Sequence, residues 1–570
     1  MKQFRLTIIL LIVFAALGAY IWFFERGEVA RPTAWKLDAS SIRRIELTSG
    51  GTTTVIERRG KSWRITRPIS AGAARDRMKE LLDRVAKIEV RRRIEKAEKL
   101  KDYGLARPAA SVKVVLANSE SHELRLGDKT PDGSAVYAMQ KGRAKVFLAD
   151  MALLDDAIGG AAALRDRSAL PFNRRKVGRI VLRRPGASVT LEKRGKQWEV
   201  VAPVAAASDQ AAVDDLLASL AGVEASRFAA ESAQDLSRYG LSIPRLVVEV
   251  LSAGGKQWRR LAVGAEAGEG EYYARNSVEP AIMVVPKSAF DGINKSAADL
   301  RSKQIAAIAV EQVRQVAIAR GNQRFELRRE DEKRWMLTSP RRMAADAQRL
   351  EELLWELSDM RAEGFIDRPR PLAAYGLDPP QAAVTIYLQR RKQPARIWFG
   401  APAASNRIYV KAGAPTIYEA SASILTRLPA RDNDLRNLTL LSYDPGDIIG
   451  LRATYDGKTV ALERKGTKWR LTEPRKRPAS ATRVDKLLSL IEEVRAEAFV
   501  GEIADQRLPA QGTIKLTVEA RGRKPATLLA WSSDGKTLLK LEGDLAVFRG
   551  ASGFLNDLTD ALDAIARKTD

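Results

Sequence analysis

The sequence predicts an α+β protein: an N-terminal transmembrane signal-anchor helix followed by four tandem α+β repeats. Each repeat reads as a β-meander, a helix, a second antiparallel β-run and a closing helix. Three observations lead there. A string of Trp, four residues and Pro occurs four times, from Trp63 to Pro68, Trp198 to Pro203, Trp335 to Pro340 and Trp469 to Pro474, with the Trp residues 135, 137 and 134 apart. Spacing that regular marks an internal repeat. An apolar stripe at helical period follows each copy, and residues 6–24 are apolar but for Thr7.

The domain plan follows in chain order: a basic cytoplasmic N-terminus (1–5), a transmembrane helix (6–24), a linker (25–40), repeats at 41–170, 171–306 and 307–442, and a degenerate capping repeat at 443–570. At about 1.5 Å per residue the apolar run spans a bilayer core of about 30 Å. Lys2 and Arg5 precede it, which by the positive-inside rule leaves the N-terminus in the cytoplasm and the bulk of the chain outside. The run outlasts the roughly 7–15 apolar residues of a cleaved signal peptide, so it reads as an uncleaved anchor.

Within the first repeat, Ile42 to Leu47 alternates apolar and polar as a half-buried strand does, and the turn Ser49-Gly50-Gly51 leads to a second β-rich run. Arg59-Gly60-Lys61 turns into the Trp63 strand, which Pro68 ends because proline has no N–H for the ladder. Met78, Leu81, Leu82 and Val85 then form one helical face, matched by Val213 to Leu220, Leu350 to Leu357 and Val484 to Ile491. Tyr103-Gly104-Leu105 recurs as Tyr239-Gly240-Leu241 and Tyr375-Gly376-Leu377, each with Pro three residues on; the Gly reads as a helix C-cap. In the second β-run, Leu126-Gly127 matches Val263-Gly264 and Phe399-Gly400, and Tyr137 matches Tyr273 and Tyr409. The closing helix ends in Leu164-Arg165-Asp166, echoed by Leu300-Arg301-Ser302 and Leu435-Arg436-Asn437. The fourth repeat loses Tyr-Gly-Leu, as terminal copies of repeats commonly do.

Composition limits the chemistry. The chain has no Cys, which removes disulfides, thiolate catalysis and Cys-based metal sites, and one His, His122, in a polar stretch that the other repeats lack. Neither a phosphate-binding loop nor a nucleophile elbow is written in it. Catalytic, cofactor-binding and metal residues are therefore all assigned as none, and the repeat landmarks read as packing positions. A formal charge of +26 suits anionic partners, and Arg91-Arg92-Arg93 and Arg390-Arg391-Lys392 stand out; scattered solvated charge reads equally well.

The anchor, the Trp-x4-Pro strings, Tyr-Gly-Leu before Pro and Leu-Arg-Asp together resemble the bacterial domain of unknown function 4340 family. The resemblance covers Lys36 to about Leu440 and, more weakly, the fourth repeat. It implies a periplasmic protein anchored in the inner membrane by a single pass, associated with gliding-motility-type ABC transporters, with no catalytic residues to carry over. The expected function is a non-enzymatic accessory or scaffold subunit of an ABC-type export or envelope-assembly system. Its expected partners are the membrane, permease and ATPase subunits or other envelope proteins, and not nucleic acid. A binder of anionic envelope polymer (peptidoglycan or lipopolysaccharide) is the alternative, and an envelope carbohydrate hydrolase the third.

Overall fold

The computed structural model describes residues 32–95, 99–255, 257–332, 334–509 and 511–567. The expected basic terminus at 1–5 and membrane helix at 6–24 lie outside them. Among the described residues no helix is long and apolar enough to cross a membrane. The chain divides into two compact units, the first ending at Arg301 and the second beginning at Ser302.

The expected α+β class is corrected to a mainly β one. Strand makes up 46% of the structure against 22% helix, and every repeat is built on one nine-stranded antiparallel sheet. The first repeat sets the pattern. Its strands are β1 (Thr33–Lys36), β2 (Ile42–Ser49), β3 (Thr52–Arg59), β4 (Ser62–Arg67) and β5 (Ala71–Gly72), then helix α1 (Arg75–Ala86). There follow β6 (Lys87–Glu89), β7 (Arg92–Arg93), β8 (Ala110–Leu116), β9 (Ser121–Lys129), β10 (Ala135–Gln140), β11 (Val146–Asp150) and helix α2 (Met151–Leu164).

The sheet runs β5-β4-β3-β2-β8-β9-β10-β11-β7. The two β-runs on either side of the helix are therefore one sheet. They join where β2 pairs with β8, from Ile42 opposite Leu116 to Ser49 opposite Ala110. The physical reason is that both runs carry one apolar face, and a single sheet lets the same two helices cover both. Met78, Leu81 and Val85 of α1 and Leu153, Leu154 and Ala157 of α2 pack in one core with Ile45, Ile56, Ile65 and Val112. Three further cores repeat this arrangement. The fourth sheet keeps the same strand order even though its motifs have eroded.

The expected linker at 25–40 also differs. β1 pairs with β6, and Trp35 is buried with its Nε1 donating to the Val85 carbonyl at 2.8 Å. The other repeats have the same lead segment: Ala169 and Leu170 enter the second core, Ile305 and Ala306 the third, Leu440 and Leu441 the fourth. Each repeat thus begins a few residues ahead of the alternating strand by which the sequence marks it. The lead segment is too short to show a period of its own.

Candidate functional site

The four Trp residues sit on β4 of the first repeat and on the strand that matches it in each of the others. Trp198, Trp335 and Trp469 are buried in their cores, while Trp63 is half-buried against the first. A basic residue faces each across the strands: Arg58, Lys193, Arg329 and Arg464. The last three hold their charge 5.8, 5.3 and 5.8 Å from the ring centroids, so a cation already lies over each of those rings. The closing prolines Pro68, Pro203, Pro340 and Pro474 all follow cis peptide bonds.

The landmarks of the second β-run converge on one place. Tyr103 meets Tyr137, Tyr239 meets Tyr273 and Tyr375 meets Tyr409, each edge-to-face at 5.0 Å. Gly104, Gly240 and Gly376 end their short 3-10 turns in the left-handed region. The second glycine of each set lies against that turn. A Cβ on Gly127, Gly264 or Gly400 would stand 2.0, 2.2 or 2.3 Å from the carbonyl oxygen of Tyr103, Tyr239 or Tyr375. With Leu105, Met139 and Val146 this is a small second core. It lies on the face away from the helices, since Tyr137 and Met139 alternate with Val136 and Ala138 of the main core. In the fourth repeat Trp531 fills the space of the lost glycine contact, with Leu508 and Leu538. Lys540, fully buried at the register position of Met139, pairs with Asp505 at 2.7 Å. That bond and the Gly543 amide hold the Asp505 carboxyl below its ordinary range.

Leu-Arg-Asp proves to be a joint. In the first unit the Arg165 guanidinium, buried, lies 3.3 Å from the centroid of Phe228 in the next repeat and 2.7 Å from Glu231. Asp166 donates its amide to the Gly72 carbonyl, and Glu279 accepts from the Gly72 amide at 2.5 Å. In the second unit Arg436 stacks 4.5 Å over Phe499 and lies 3.7 Å from Glu502, which also meets Arg341 at 3.0 Å. Burial, with Arg341 nearby, lowers the Arg436 pKa from its ordinary value. Arg495 reaches back to the buried Asp346 at 2.5 Å. The stacking partner of each Arg lies more than sixty residues downstream, beyond any periodic signal.

A groove of about 980 Å³ lies in the third repeat. Arg391 and Lys392 stand on the turn before the strand Ala395–Ala403, Arg396 and Trp398 on that strand, and Lys411 opposite Trp398 on its neighbour. No acidic residue lines it, and no carboxylate pairs with Arg391, Lys392 or Arg396 among the described residues. Lys411 donates to the Ala414 carbonyl at 2.7 Å. The basic run was visible in the sequence; Trp398 and Lys411 were not, because only the strand register brings them beside it. The second repeat has a smaller groove of about 370 Å³, with Arg260 and Arg275 at the same register positions but Glu279 in its wall. In the first repeat Glu123 takes the Arg396 position and binds Lys141 at 2.8 Å. His122 lies on β9, not in a loop, with its ring 5.6 Å from Trp35. Among the described residues no three His, Asp or Glu side chains gather as a metal site.

A family model, described as a domain of unknown function (DUF4340), matches residues 63–200, 198–366 and 335–512. Each match opens on a Trp of the repeat and runs to or past the next one, so the Leu-Arg pair that ends a repeat lies inside every matched segment. Neither a curated protein nor a solved structure matches the chain. With matches across most of its length, phased on the Trp strands, this chain belongs to the DUF4340 family.

Proposed function

We propose that the protein is a non-enzymatic accessory or scaffold subunit of an ABC-type export or envelope-assembly system. Residues 6–24 hold it at the bacterial inner membrane, and the repeats lie on the periplasmic side. The observation that supports this is the arginine joint. What the paired repeats of a unit share is a means of fixing one sheet to the next, through Arg165 on Phe228 and Arg436 on Phe499. Such a joint spends buried charge on holding neighbouring surfaces in register, which suits presentation of broad sheet faces to partner proteins. Lys2 and Arg5 before the apolar run supply the orientation.

The test is purification of the full chain from membranes in mild detergent. Permease and ATPase subunits should come with it in fixed ratio, and Arg165→Ala with Arg436→Ala should weaken that association. Recovery of the chain alone would count against the reading. Protease added to intact spheroplasts should digest the repeats; their protection would overturn the placement.

A further inference from the structure

We infer that the groove of the third repeat is a binding site for an anionic oligosaccharide, one bearing carboxylate or phosphate groups along its length. The inference is independent of the scaffold reading, since it rests on one repeat only.

Three features carry it. The first is size: about 980 Å³ is in the range of cavities that hold a ligand of several rings. The second is charge that no carboxylate neutralises among the described residues. Arg391, Lys392 and Arg396 have no carboxylate partner among the described residues, whereas at the matching register the first repeat has Glu123 and the second repeat's groove holds Glu279. The cations come from separate elements, a turn and two strands, and so are spread along the groove. That distribution fits a chain of charges better than one phosphate, which calls for donors converging on a point.

The third feature is Trp398, half-buried in the groove wall across the strands from Lys411. It has no equivalent in the second repeat, where Ala262 stands at that register. An indole face beside cations offers a sugar ring a flat apolar surface while the guanidinium forks take its acid groups. A membrane surface is the poorer fit. Anionic headgroups require an exposed, flat or convex face, and here the aromatic ring is set back in a concavity.

The experiment uses the full chain in detergent micelles and an oligomer of galacturonic acid as probe, with neutral dextran as control, measured by calorimetry at two salt concentrations. The variant R391A/K392A/R396A should lose about tenfold in affinity at low salt, and less at high salt where exposed charge is screened. Trp398→Ala should lose affinity at both. R475A/K476A/K486A, which removes equal charge from exposed positions outside the groove, should change little. Equal losses from the two triple variants would reduce the effect to net charge and overturn the site. Failure of the wild-type chain to bind the oligomer would overturn it too. Binding to phosphatidylglycerol vesicles that the groove triple abolishes, without binding of the oligomer, would assign the groove to the membrane instead.

Discussion

Gly264→Ala tests whether the paired glycines are a packing contact. The added Cβ would stand 2.2 Å from the Tyr239 carbonyl oxygen, 2.9 Å from the Gly240 carbonyl carbon and 3.1 Å from its oxygen. All three are backbone atoms, so no side chain can swing aside. Either the strand or the left-handed turn at Gly240 must shift by close to an ångström, disturbing the Tyr239–Tyr273 contact. Overpacking of this kind costs about 1–3 kcal/mol, and rigid walls put it near the upper end. A global unfolding curve would blur the effect, because a chain of several cores is not two-state. Amide hydrogen exchange followed by mass spectrometry resolves it by repeat. Peptides from Leu246–Ser252 and Trp258–Gly268 should exchange about a hundredfold faster, as 3 kcal/mol implies at about 1.4 kcal/mol per decade, with the fourth repeat unchanged. Gly413→Ala, in open space at φ 57°, bears only its backbone cost of about 1–2 kcal/mol. Exchange within threefold of wild type for Gly264→Ala, about 0.7 kcal/mol, would refute the contact.

Trp335 is buried, and its indole nitrogen has no hydrogen-bond partner among the described residues; Trp335→Phe should therefore cost under about 1.5 kcal/mol and Trp335→Ala about 3–5, read as exchange in the third repeat. Arg165→Ala should loosen the first joint by about 2 kcal/mol, the worth of a desolvated cation over a ring, and raise proteolysis near Asp166. Glu231→Gln should cost under about 1 kcal/mol, because that carboxylate is half exposed. In the fourth repeat the Asp505 carboxyl titrates below its ordinary range because Lys540, then the Gly543 amide, bonds its charged form. A depressed carboxyl stabilises fully above the unfolded value of about 3.9 and fades as pH falls through the folded one. Fluorescence of the nearby Trp531, followed down from neutral pH, should report that loss below about pH 4. Lys540→Met, which installs the residue found at Met139 and removes the first cause of the depressed carboxyl, should flatten the profile.

Period and spacing in the chain were enough to establish the four copies, the Trp strands, the amphipathic helices and the left-handed glycine of Tyr-Gly-Leu. These are local matters: alternation along a strand, 3.6-residue recurrence on a helix, and a backbone angle that favours glycine. They did not reveal that the β-runs on either side of the helix are one sheet, since β2 and β8 find each other across more than sixty residues and either pairing partner is equally apolar. Only register joined the recurrent glycines and tyrosines into one contact, turned Leu-Arg-Asp into a joint, and set Trp398 beside Arg391 and Lys392. A charge or a ring acquires its role from what lies across the strand from it, and that neighbour is distant in sequence.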